Sequence, residues 1–175
     1  NPLLTRSAPD VPKQEALADL GDLRWHFIGR LQANKVRAVV KAFSWIHSID
    51  SLALAERSSR IALEEGRRPS VLFQVKLRPD PSKGGWDPQS LREAWPALSQ
   101  LPGLSVSGLM TMAPLGLDLE ERQSLFRECR NLVDEFDLTQ CSMGMSGDWP
   151  EAAAAGATWV RVGSALFGAR PASLS

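Results

Sequence analysis

Twice in the last third of the chain a hydroxyl stands beside a glycine where an apolar run stops. Ser146-Gly147 follows the run that begins at Cys141, and Gly163-Ser164 follows Trp159-Val160-Arg161-Val162. Glycine lets a backbone N–H approach a ligand with no Cβ in the way, and hydroxyls add donors, so two such strand ends suit a phosphate dianion. Ser146 and Ser164 equally suit helix capping; two successive strand ends of the same make favour phosphate. Arg161 lies between Val160 and Val162, and period-two alternation turns it to the face opposite both. An inward guanidinium needs a partner, either a ligand or a carboxylate in a structural ion pair.

The remaining candidates have plainer readings. Asp148 precedes Trp149-Pro150-Glu151 and an alanine run, the position of a helix N-cap. His26 and His47 sit among apolar neighbours and read as satisfied core histidines. Neither has a second histidine or cysteine at metal-ligand spacing, so no metal site is expected. Cys129 and Cys141 read as buried free thiols, which suits a reducing compartment.

The elements that must hold these residues alternate along the chain. Apolar runs predict strands at 25–29, 45–49, 71–77, 104–112, 141–146 and 159–163. Between them helical spacing recurs: Val36, Val39, Val40 and Phe43; Leu54, Ala55, Ser58, Ile61 and Ala62, capped by Asp50 or Ser51 and ending at Gly66; Leu91, Ala94, Trp95 and Leu98, with Asp87 as N-cap and Pro88 at the first position; and Leu125, Phe126, Cys129, Leu132, Val133 and Phe136. Pro96 is expected to end or kink the third of these early. Six strand units joined by helices form an α/β fold of parallel strands with helical crossovers, two units short of a closed eight-stranded barrel.

Composition narrows the function classes. The 175 residues carry 43% hydrophobic content and 20 residues of each charge sign, giving zero formal net charge. One domain with a sizeable core fits, and nucleic acid is a poor partner for a chain with no basic tract. No apolar run approaches the roughly 20 residues of a membrane span and no signal segment opens the chain, so no membrane partner and a cytoplasmic location are expected.

Three segments carry a resemblance: WHFIGRLQANK at 25–35, GLMTMAP at 108–114 and CSMGMSGDWPEAAAAGATWVRVGSALFGAR at 141–170. Together they are similar to the pyridoxal phosphate homeostasis proteins, whose barrel is that of the alanine racemase N-terminal domain, over roughly residues 13–170. The resemblance implies an incomplete TIM-type (β/α) barrel of that class, about six of eight units, over residues 13–175. KQEALADLG at 13–21 resembles the polar helix before the third strand of relatives. Residues 1–12, with three prolines and no periodicity, read as an irregular arm.

The resemblance also implies a ligand, pyridoxal 5′-phosphate. Ser146, Gly147, Gly163 and Ser164 would hold its phosphate, Arg161 would approach the pyridine nitrogen, Asn34 the ring region, and Met110 would pack on the cofactor or simply in the core. In relatives the first strand carries the lysine of the cofactor's Schiff base. The lysines here are Lys13, Lys35, Lys41, Lys76 and Lys83, none at the end of an opening strand. A non-covalent or weak hold is therefore expected, in a carrier or buffer rather than a turnover enzyme, monomeric if complete. Two alternatives stand beside it. One is a fragment of a racemase or decarboxylase, which would need a tyrosine acid that a chain without tyrosine lacks. The other is an interaction module that binds no cofactor.

Overall fold

The computed structural model describes residues 24–168. The arm at 1–12 and the helix expected at 13–21 lie outside them. Six strands alternate with six helices: β1 (His26–Phe27), α1 (Val36–Ala42), β2 (Trp45–Ile49), α2 (Leu52–Glu64), β3 (Ser70–Gln74), α3 (Pro88–Leu98), β4 (Ser105–Met110), α4 (Leu119–Glu135), β5 (Gln140–Met145), α5 (Trp149–Ala154), β6 (Trp159–Arg161) and α6 (Ser164–Phe167). All strands lie parallel in one sheet, in chain order.

Alternation along the strands divides the sheet into two buried faces, as parallel sheets require. Ile46, Val71, Phe73, Val75, Leu109, Cys141 and Met143 join the helices in one apolar cluster, with Val36, Leu54, Ile61, Leu91, Phe126 and Val133. Leu72 and Met110 are equally buried but stand apart from that cluster, on the other face with His47, Gln74 and Ser142. That face is concave. His26 in the first strand of the sheet and Trp159 in the last have ring centroids only 4.6 Å apart, so the sheet curls until its two ends approach each other. The result is the incomplete barrel expected from the alternating pattern.

The helix boundaries follow local signals. Ser51 accepts from the Leu54 N–H, Asp87 from those of Gln89 and Ser90, and Asp118 and Glu121 form a capping box at the start of α4. Ion pairs then tie neighbouring helices on the surface: Arg37 to Glu64 and Glu65, Arg92 to Glu135 through two hydrogen bonds, and Arg122 to Glu151. No helix among the described residues is long and apolar enough to cross a membrane.

Three expectations change. β2 spans 45–49 as expected and β5 keeps its six residues, shifted by one, but β1, β3, β4 and β6 are shorter than their apolar runs, most of all β1, because the ends of those runs leave the hydrogen-bonded register of the neighbouring strand. α3 runs through Pro96 to Leu98. The proline removes one backbone hydrogen bond near the helix end, a small loss while Leu98 is buried and Trp95 packs against the core. Asp148 sits at the N-cap position of α5 but makes no cap bond; its Oδ1 accepts instead from the N–H of Met145, at 2.6 Å. The carboxylate thereby ties the turn back to β5 rather than forward to the helix.

Candidate functional site

Polar side chains on the concave face are layered from the N-terminal ends of the strands upward. The floor is aromatic: His26 lies flat on Trp45, with centroids 5.2 Å apart and 4° between planes, and Trp159 tilts against it while donating its indole N–H to Gln140 Oε1 at 2.6 Å. One step up, His26 Nδ1 and His47 Nε2 are 2.8 Å apart, and His47 Nδ1 is 2.8 Å from Ser142 Oγ. Arg161 reaches the same layer from β6, donating from Nη1 to Ser142 Oγ at 2.7 Å and from Nη2 to the Thr111 carbonyl at 2.8 Å. The Thr111 hydroxyl in turn donates to the Val75 carbonyl at 2.9 Å.

Burial decides the electrostatics of this layer. The His47 pKa is pushed down to about 3, by desolvation first and by His26 and Arg161 after it. Burial lowers Arg161 to about 10, so the guanidinium stays charged at neutral pH. None of the ion pairs among the described residues includes Arg161. Its bonds go to a hydroxyl and a carbonyl, both neutral, so its charge is not cancelled by a carboxylate in contact with it.

Above the arginine lie the two strand ends. Ser146 Oγ accepts from the backbone N–H groups of Gly163 and Ala165, each at 3.2 Å, which brings the end of β5 against the end of β6. Gly147, Gly163 and Ser164 are exposed around this junction. An added Cβ at Gly147 or Gly163 would meet nothing within 4 Å. Neither glycine has a positive φ. The junction is thus an open cradle of backbone donors and hydroxyls in which glycine is not needed for the fold, a donor set that fits a phosphate group.

The other candidates are placed less centrally. Met110 is fully buried on the concave face, in register with Ser142. Asn34 is exposed between β1 and α1 and, among the described residues, no hydrogen bond ties it to the β5 and β6 ends. Lys35 is exposed at the α1 N-cap, and Lys76 lies partly buried just beyond β3. Cys129 and Cys141 are buried free thiols with sulfurs 3.8 Å apart.

Ser142, Thr111 and the joining of the two histidines escaped sequence reasoning. One signal was present: His26 pairs with Trp45, and His47 stands two residues further along the same face.

Comparison with known proteins bears on this arrangement. A profile of the alanine racemase N-terminal domain matches residues 14–171. The pyridoxal phosphate homeostasis protein of Synechocystis sp. is 51% identical over 166 residues, covering 91% of this chain and 76% of that protein. The protein of the same name from Aquifex aeolicus is 42% identical, covering 91% and 72%. Among solved structures, PipY of Synechococcus elongatus with pyridoxal phosphate bound superposes with a TM-score of 0.82 at 54% identity, over 89% of this chain and 75% of that one. An alanine racemase of Clostridium difficile, 17% identical with a TM-score of 0.68 over 91% of this chain and 43% of that one, shares the fold.

Proposed function

The chain belongs to the pyridoxal phosphate homeostasis proteins, of the alanine racemase N-terminal domain class, and from that premise we propose that it holds pyridoxal 5′-phosphate at the C-terminal rim of its sheet, as an intracellular carrier or buffer. The observation that carries the reading is the meeting of the two strand ends, where Ser146 bonds the backbone of Gly163 and Ala165 beside two glycines with open space at Cβ.

Each residue then has a task. Backbone N–H groups at Gly147 and Ser164, and that of Gly163 once it turns from Ser146 Oγ, bind the phosphate together with the hydroxyls of Ser146 and Ser164. Arg161 presents a charged guanidinium toward the ring nitrogen. A fixed cation there opposes protonation of the pyridine, which keeps the ring a weak electron sink and favours holding over turnover. Met110 lines the concave face beneath the ring, and Asn34 contributes from the loop after β1. When bound, the group supplies a reactive aldehyde; the protein's part is to orient it and limit its chemistry. Two buried free thiols suit a reducing, cytoplasmic setting.

Binding of pyridoxal phosphate, followed by its absorbance and by tryptophan fluorescence, tests this in the wild type, Gly147→Ala, Gly163→Ala and the double variant Ser146→Ala/Ser164→Ala. The glycine variants should keep their urea midpoints and bind about tenfold more weakly, a loss of ~1.4 kcal/mol. In the double variant two hydrogen bonds to a charged group disappear, each worth about 1.5–3 kcal/mol, and retention should largely vanish. Unchanged affinity in all three would assign the serines to capping and end the phosphate reading.

A further inference from the structure

Arginine can only donate hydrogen bonds, and that fact fixes the direction of every bond connected to Arg161. Its Nη1 donates to Ser142 Oγ. Ser142 is fully buried and has one proton of its own. Among the described residues the hydroxyl's only other partner is His47 Nδ1, at 2.8 Å. A buried hydroxyl that left its proton unused would forgo that bond, so Ser142 donates and His47 Nδ1 accepts. Neutral His47 therefore carries its proton on Nε2, where it donates to His26 Nδ1, 2.8 Å away. His26 in turn carries its proton on Nε2.

We propose that Ser142, His47 and His26 are positioning residues for Arg161, forming a hydrogen-bond chain of single polarity that begins at the guanidinium and ends on the aromatic floor. Ser142 Oγ accepts from Arg161 and donates to His47, so turning Nη1 away would break the chain at its first link and leave the buried hydroxyl bonded to His47 alone. The Thr111 carbonyl fixes Nη2. Both terminal nitrogens are thus held from below by neutral groups, and the charge is kept for what lies above. The floor completes the device: His26 stacks on Trp45 and packs against the tilted Trp159, the three rings in mutual contact, so its ring plane, and through it that of His47, is set by packing. This role rests on the reading that Arg161 faces the bound ring, but the polarity of the chain does not.

Long-range proton–nitrogen NMR of the ¹⁵N-labelled full chain at neutral pH, without ligand, reads both tautomers. The expected result is an unprotonated Nδ1 and a protonated Nε2 on His26 and on His47, with Arg161 side-chain protons protected from exchange. Ser142→Ala should release the Arg161 protection at least tenfold, and Ser142→Thr, which keeps the hydroxyl, should restore it. With pyridoxal phosphate added, Ser142→Ala should shift the absorption maximum of the bound group while changing its affinity less than threefold. A protonated Nδ1 on His47, or full Arg161 protection in Ser142→Ala, would overturn the chain; since the tautomers are read in the wild type, a variant that fails to fold leaves this test intact. A wild-type protein with the expected tautomers that binds no pyridoxal phosphate would overturn the functional reading instead.

Discussion

Burial holds the His47 imidazole neutral, with a pKa pushed down to about 3 against an ordinary value of 6.5. The unfolded chain binds that proton below pH 6.5 and the folded chain does not until about pH 3. Over that window the unfolded state holds more protons, so this contribution is fully present above pH 6.5 and is lost as pH falls. Each pH unit is worth about 1.4 kcal/mol. His26, lowered chiefly by desolvation and then by Arg24, adds with the same sign. The carboxylates bonded to Arg37 are also lowered, but from an ordinary value of 4.5, so they enter later. Urea unfolding should therefore show a loss of about 2 kcal/mol between pH 7 and pH 5. His47→Gln should remove most of that loss; an equal loss in the variant would mean that the imidazole is not the group responsible.

At the scale of elements, apolar runs marked all six strands, because residues such as Val71, Phe73, Leu109 and Met143 must bury an outward face against helices. Their ends were not legible. The expected strand through Leu77 stops at Gln74 and gives way to a bridge between Val75 and Trp86, created when the loop after β3 folds back on it. The turn of Arg161 to the inner face was readable from its two valine neighbours. Its partners were not, since Ser142 is 19 residues away in β5 and Thr111 50 residues away just beyond β4, and His47, the next link, is 95 residues from Ser142.

Register also makes a glycine prediction. A Cβ on Gly108 would lie 1.9 Å from the Gln140 carbonyl oxygen, in the backbone of the adjacent strand β5. Gly108→Ala must separate β4 from β5 and should cost roughly 3 kcal/mol in chemical denaturation. Gly147→Ala, with open space at Cβ, should fall within about 0.5 kcal/mol of wild type. Equal effects of the two would mean that the strand spacing is not as described.

The whole molecule is a curled sheet with an aromatic floor, a polar middle layer and a rim where two strand ends meet. A Schiff base needs an unprotonated amine held beside the aldehyde, and the lysines of this chain are scattered at 13, 35, 41, 76 and 83. Borohydride reduction of the loaded protein followed by digestion should give no single dominant modified lysine. One dominant adduct, at Lys76 or Lys35 for example, would show an anchor that this account lacks.

The central claim is the location of the phosphate grip, and a crystal structure of the chain with pyridoxal 5′-phosphate tests it most directly. Phosphate oxygens should lie within hydrogen-bond distance of Ser146, Ser164 and the backbone N–H groups of Gly147 and Gly163, with the ring nitrogen facing Arg161. A phosphate bound elsewhere, such as beside Lys76 and Lys83 at the end of β3, with the β5 and β6 junction empty, would contradict it.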